Sequence, residues 1–261
     1  YLRHLMLRKG FYTKELMVNI VTSYEDPSKL EPIKNALINN FPKIQSIVNN
    51  INTRRADVAY GEKEINLHGS SFIREKLGDI SYEVSANSFF QTNSEQAVKL
   101  FETVQRYLDL KGDEIIFDLF CGTGSISLFL AKLTKEIYGF DVIRTAIEDA
   151  TRNSVINGIG NAKFHKVNLD TYFKKGRNIE LFPIPDALII DPPRSGVHKN
   201  MLKSLPKFKA NKIVYVSCNP TTQARDIAKL IHWGWKLQST TLVDMFPHTP
   251  HIETVALLKK N

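Results

Sequence analysis

Cys218, one of only two cysteines in 261 residues, stands at the end of the apolar run from Lys212 to Val216 and just before a helix-like segment. A side chain where a strand hands over to a helix lies where open α/β sheets do chemistry. Asn219-Pro220-Thr221-Thr222 opens that helix, so its positive end is expected to lower the thiol pKa from about 8.5 toward neutrality, making Cys218 a nucleophile rather than a small buried hydrophobe. The other cysteine, Cys121, lies inside a glycine-rich turn and reads more simply as a small side chain packed beneath the glycines. Glu253 is a carboxylate in the strand-forming run from His251 to Leu258, preceded by the constrained loop Met245-Phe246-Pro247-His248-Thr249-Pro250. It is either the polar face of an edge strand or a general base carried over the sheet's reactive edge. The spacing of His248 and His251, with no further ligands nearby, points to positioning or packing and not to a metal.

A second block supplies a ligand cradle. Asp118-Leu119-Phe120-Cys121-Gly122-Thr123-Gly124 follows the apolar stretch Ile115 to Phe117 and precedes a helix beginning near Ser125. Gly122 and Gly124 let the backbone turn sharply and approach a ligand, and the helix start offers free N–H groups. A third glycine is missing, with Ser127 in its place, but Asp141 ends the next strand about 20 residues on, where a carboxylate accepts hydrogen bonds from ribose hydroxyls. An adenosine-containing cofactor follows. Asp191-Pro192-Pro193-Arg194 closes the strand Ala187 to Ile190, and the two prolines hold the chain extended, a rigid lip suited to clamping a flat group. Arg194 is read either as a phosphate contact or as an ordinary surface arginine.

The elements that must position these residues fall into two regimes. From Tyr1 to about Ala86 the pattern is α+β, with short strands near Leu5–Leu7, Leu16–Val21, Ile47–Ile51, Ile65–Leu67 and Ile80–Val84, and one helix with Leu30, Ile33 and Leu37 on a face. After a bridging helix from Glu95 to Leu108, strands and helices alternate, which implies a parallel sheet covered on both faces. The runs Trp235–Val243 and Ile252–Leu258 close the chain as an antiparallel pair at the sheet edge. The expected domains are therefore 1–94, α+β, and 95–261, α/β.

Composition narrows the class. With 43% hydrophobic residues the chain reads as an ordinary globule, and its net charge of +8 favours a polyanionic partner. Basic residues gather at Arg3, Arg8 and Lys9, at Arg54 and Arg55, at Lys174, Lys175 and Arg177, and from Lys199 to Lys212. No run is long and apolar enough for a membrane span and no signal peptide is evident, so a cytoplasmic location, no membrane partner and a monomer are expected. Two cysteines give no disulfide framework and no cysteine-rich metal site. Beginning at Tyr1 in a strand-like segment, the chain is expected to be a fragment of something longer on its N-terminal side.

Together, Phe89-Phe90-Gln91-Thr92-Asn93, DLFCGTGSIS at 118–127, DPPRSG at 191–196, VSCNPTTQARD at 216–226 and PHTPHIETV at 247–255 resemble the S-adenosylmethionine-dependent RNA uridine-5-methyltransferases over essentially the whole chain. The resemblance implies a Rossmann-like methyltransferase sheet with helices on both faces and an antiparallel C-terminal edge, preceded by a smaller α+β domain. It implies S-adenosylmethionine as methyl donor, with Gln91, Phe120, Gly122, Gly124, Ser125, Asp141, Asn168 and Asp191 lining its site. Ser125 replaces a more usual Asn, and Asp141 a more usual Glu. By the same resemblance Cys218 adds to carbon 6 of uracil and Glu253 takes the carbon 5 proton, while Arg194, Phe246 and His248 contact the substrate. The resemblance further implies ribosomal RNA ahead of transfer RNA as substrate, an RNA-contacting role for residues 1–94, and an N-terminal RNA-binding domain missing from this chain.

Three rivals are weighed. RNA cytosine-5-methyltransferases have a second cysteine where this chain has Arg194, and amino-methylating enzymes have an aromatic residue after their Pro-Pro turn. A non-catalytic RNA-binding module leaves Cys218 and Glu253 without purpose.

Overall fold

The computed structural model describes residues 1–54 and 61–260, so Arg55 of the basic pairs lies outside the described residues. The chain divides into two compact units, Tyr1–Lys76 with Ser81–Ser88, and Leu77–Ile80 with Phe89–Asn261.

The first unit is built from β1 (Leu2–Lys9), β2 (Leu16–Thr22), α1 (Pro27–Asn40), β3 (Ile44–Ile51) and β4 (Lys63–Gly69) in a four-stranded sheet of order β1-β2-β3-β4, followed by the pair β5 (Phe72–Leu77) and β6 (Ile80–Ser85). The link between β2 and β3 runs through α1, which is why those two strands are parallel while their neighbours are antiparallel. Asp26 caps α1 by accepting the Lys29 N–H, Pro27 starts it, and its Leu30 packs on Val18, Ile20 and Ile47. Strand β5, absent from the sequence expectation, alternates as a half-buried strand should, but one of its inward positions is Glu75. That carboxylate accepts the main-chain N–H groups of Phe11 and Tyr12, so a charged residue occupies a core position and hides the period-two signal.

The second unit begins with α2 (Ser94–Leu108) and continues through β7 (Ile115–Leu119), α3 (Ser125–Ala131), β8 (Glu136–Asp141), α4 (Arg144–Ile156), β9 (Ala162–Lys166), α5 (Leu169–Tyr172), β10 (Ala187–Ile190), α6 (Lys199–Leu202), β11 (Lys212–Ser217), α7 (Pro220–His232), β12 (Trp235–Val243) and β13 (Glu253–Lys260). The sheet order is β12-β13-β11-β10-β7-β8-β9, parallel from β9 to β11, with β13 antiparallel to both its neighbours. Continuous apolar runs such as Ala187–Ile190 make strands buried on both faces, and Ala97, Leu100, Phe101, Val104 and Leu108 give α2 one apolar stripe. Phe117, Phe140, Phe173 and Phe208 form an aromatic cluster within the core beneath one face. Strand order reverses between β7 and β10, and the crevice at their carboxyl ends is where such sheets bind ligands. Since Leu119 pairs with Ile190, the residues that follow, Phe120 and Asp191, leave the sheet side by side.

Candidate active site

Strands β11 and β13 bring the two reactive candidates together from positions 35 residues apart in sequence. Their antiparallel ladder pairs Val216 with Val255 and Ser217 with Thr254, so one further step sets Cys218 opposite Glu253. On its other side Glu253 is paired with Val243 of β12. Cys218 leaves β11 and is exposed, whereas Glu253 is buried. The residues around the thiol are tied down. Ser217 Oγ accepts the Asn219 N–H at 3.1 Å, and the Asn219 side chain caps α7 by accepting the N–H groups of Thr221 at 3.1 Å and Thr222 at 3.4 Å.

That cap corrects one expectation. The helix start was expected to depress the thiol pKa, but Cys218 is raised above its ordinary value, by desolvation first and then by the Glu253 and Asp191 carboxylates, with Arg194 pulling the other way. Cys218 precedes the cap, and Asn219 already occupies N–H groups that would have stabilised a thiolate. Desolvation, with two nearby carboxylates behind it, sets the direction of the shift. Both are themselves perturbed: burial pushes Glu253 up to about 7, and burial together with Glu253 pushes Asp191 up to about 7.

The glycine turn lies across the crevice. Phe120, with φ of 80°, takes a left-handed conformation that costs a non-glycine residue strain, and its N–H and that of Cys121 both donate to the Phe140 carbonyl, at 2.9 and 3.1 Å. Asp141 braces the turn: one carboxylate oxygen accepts the Gly122 N–H at 3.0 Å and the other the Ile143 N–H at 2.9 Å. Each oxygen keeps a second lone pair, which is what a ribose hydroxyl would use. Gly124, with φ of 77°, caps α3, and the Ser125 hydroxyl lies 3.2 Å from that of Thr123. Cys121 is buried and its thiol pKa is raised well above the usual range, first by burial, which suits packing and not attack.

The remaining candidates are spread around this crevice. Gln91 is half-buried just ahead of the Asn93 cap of α2, and Asn93 Nδ2 donates to the Met245 carbonyl at 3.0 Å, tying that segment to the loop that carries Phe246 and His248. Phe246 is half-buried, and His248 is exposed at φ of 68°. Asn168 is exposed and caps the short α5 by accepting the Asp170 N–H. Arg194 is exposed, with its carbonyl held by Asn219 Nδ2 at 3.1 Å and the Thr222 hydroxyl at 3.3 Å. Farther along that loop, Asp226 of α7 accepts the Val197 N–H and the Tyr215 hydroxyl, fixing the segment after Asp191 against β11.

Sequence reasoning missed Asp118. It is buried in β7 with one oxygen accepting the Ser127 hydroxyl at 2.6 Å and the other without a partner, and burial, reinforced by Asp191 and Asp141, pushes it up to about 7. The available signal was a single acid inside an otherwise apolar strand. Asp118, Asp141, Asp191 and Glu253 thus make the strand ends acidic on a chain of net charge +8, and a ligand carrying positive charge would relieve them. Among the described residues, no group of three or more His, Cys, Asp or Glu is placed to hold a metal ion, and no helix is long and apolar enough to cross a membrane.

Comparison with known proteins identifies the family and the fold. The family described as tRNA (uracil-5-)-methyltransferase matches residues 61–261. An uncharacterized RNA methyltransferase of Bacillus cereus is 42% identical over 99% of this chain and 56% of its own length, and one of Chlorobaculum tepidum is 40% identical over 100% of this chain and 54% of its own. The chain therefore spans about half the length of these curated relatives. The crystal structure of Pyrococcus abyssi tRNA (uracil-54, C5)-methyltransferase in complex with S-adenosyl-L-homocysteine superposes with a TM-score of 0.80 at 39% identity, covering 99% of this chain and 59% of that one. The fold is that of a Rossmann-like methyltransferase.

Proposed function

Because the chain belongs to the tRNA (uracil-5-)-methyltransferase family, we propose that it transfers a methyl group from S-adenosylmethionine to carbon 5 of a uridine in RNA. The observation that carries this reading is the opposition of an exposed thiol, Cys218, and a buried carboxylate, Glu253, across the end of the β11–β13 ladder. Cofactor binding is assigned to Gln91, Phe120, Gly122, Gly124, Ser125, Asp141, Asn168 and Asp191. The acidic strand ends and the unpartnered Asp118 oxygen suit a methyl donor that carries a sulfonium and an ammonium. When bound, S-adenosylmethionine supplies an electrophilic methyl group.

The chain's own residues do the rest. Carbon 5 of uracil is too weak a nucleophile to react alone, so the Cys218 thiolate adds to carbon 6 and pushes the ring electrons into an enolate that makes carbon 5 nucleophilic. After methylation carbon 5 carries both a methyl group and a proton. Glu253, as carboxylate, takes that proton; the electrons re-form the carbon 5–carbon 6 double bond and expel the Cys218 thiolate. A base paired in RNA must leave its stack to reach the thiol, and Phe246, Pro193 and Arg194 at the crevice are the groups assigned to receive it and its phosphate. His248 is assigned to substrate contact on the same loop. The substrate is transfer or ribosomal RNA, and the P. abyssi relative weights the choice toward transfer RNA.

Two substitutions test the assignment on a denaturing gel with transfer and ribosomal RNA fractions. Cys218→Ala should form no covalent RNA adduct and no product. Glu253→Gln should accumulate the methylated adduct while turnover falls by about 10² to 10⁴-fold. Equal adduct levels in the two variants would overturn these roles, and mapping the labelled methyl group identifies the base.

A further inference from the structure

The β11–β13 ladder stops at Ser217 and Thr254, one step short of Cys218 and Glu253, so no main-chain pair joins the two reactive residues directly. At that last rung a buried side-chain cluster takes over. Thr254, 2% exposed, shares its single hydroxyl proton between two acceptors, the Gln223 side-chain carbonyl at 2.8 Å and the Ser217 main-chain carbonyl at 3.1 Å. Gln223 of α7 in turn donates its amide to the main-chain carbonyls of Tyr215 at 2.8 Å and Thr254 at 3.3 Å. The three elements that carry Cys218 and Glu253 therefore meet at one hydroxyl. The Ser217 carbonyl belongs to the same peptide unit as the Cys218 N–H, and Thr254 is bonded to Glu253, so the contact acts on both reactive residues at a distance of one peptide unit each.

We propose that the Thr254 hydroxyl is a positioning group, holding the Ser217–Cys218 peptide where the thiol faces Glu253. This rests on the roles given above to Cys218 and Glu253. Val has the shape of Thr but no hydroxyl, so Thr254→Val leaves the Ser217 carbonyl without this donor and lets the peptide beyond the ladder relax. A reaction that needs the ring held between a nucleophile and a base is sensitive to shifts of that kind. Ser keeps the hydroxyl and should restore the contact.

The discriminating readout does not depend on RNA. Cys218 is exposed and Cys121 buried, so iodoacetamide labels Cys218 selectively, and the pH dependence of its alkylation reports how close the thiol stays to the Glu253 and Asp191 carboxylates. Wild type and Thr254→Ser should share one midpoint, above that of an ordinary thiol. Thr254→Val should move it down as the thiol leaves the carboxylates. The maximal single-turnover methylation rate of in-vitro-transcribed transfer RNA should fall about 10- to 100-fold in Thr254→Val, with the half-saturating RNA concentration unchanged. A Val variant with the wild-type midpoint and rate, or a Ser variant as impaired as Val, overturns the proposal. If Thr254→Val does not fold by circular dichroism, Thr254→Ala removes the same hydroxyl and carries the same expectations. Should Cys218→Ala still form an RNA adduct, the assignment of the nucleophile fails, whereas a wild-type Thr254→Val beside an inert Cys218→Ala removes the positioning role alone.

Discussion

At the scale of single residues, the reactive thiol is opposed by its own surroundings. Cys218 is raised by desolvation and by Glu253 and Asp191, and Glu253 sits at about 7, so near neutrality the nucleophile is mostly thiol and the base about half protonated. Both groups act in their deprotonated forms, so both effects run in one direction: methylation should rise with pH. Single-turnover rates at pH 8.5 should exceed those at pH 6.5 by at least roughly tenfold. Glu253→Gln removes a negative charge beside the sulfur, so the pH midpoint of adduct formation should move down in that variant. A midpoint that stays or rises would show that Glu253 does not face the thiol. Asp118 makes the same point from the cofactor side: burial without a counter-charge pushes this acid up to about 7, and a cationic ligand beside it would bring that down.

At the scale of elements, the strand-end turns do most of the positioning. Gly124 caps α3 at φ of 77°, and a Cβ there would lie 2.9 Å from Phe164, with Ala150 at 3.1 Å. Gly124→Ala therefore combines backbone strain with a collision against Phe164 of β9 and Ala150 of α4. The substitution should destabilise the chain by about 1–3 kcal/mol in a denaturant titration and weaken S-adenosylhomocysteine binding by calorimetry at least tenfold. Wild-type affinity would mean that the turn does not touch the ligand. Helix α7 contributes at its opposite end of the crevice, since Asn219 and Thr222 both grip the Arg194 carbonyl and Asp226 holds Val197. These elements were legible because their signals are local: Gly122 and Gly124 after an apolar run, Asn219-Pro220 before a helix, Asp191 before two prolines. β5 was not, because Glu75 occupies an inward position and is satisfied by the main chain of Phe11 and Tyr12, residues far away in sequence.

At the scale of the whole molecule, a basic chain concentrates acid at its strand ends, and this has a thermodynamic signature. Asp118, Asp191 and Glu253 have folded-state pKa values raised to about 7, above those of an unfolded chain, so the native state binds more protons between about pH 4 and pH 7. Their stabilising contribution is fully present below the unfolded values and is lost as pH rises through 7. The melting temperature without ligand should fall by several degrees from pH 5 to pH 8, less so in Asp118→Asn, and saturating S-adenosylmethionine should restore most of the loss at pH 8 by mass action. A melting temperature that climbs over that range would contradict the raised values. The amino-acid sequence by itself determined the strand-and-helix alternation and the turns at Gly122–Gly124 and Asp191–Pro193, because residue type and short-range spacing carry those signals; Cys218 and Glu253 it nominated, and the family resemblance gave them their roles. Only the tertiary structure decided that β13 inserts between β11 and β12, that its register brings Glu253 opposite Cys218, and that the thiol is raised where its helix start alone argued for the reverse. Register and electric field are sums over neighbours distant along the chain, and no local pattern encodes them.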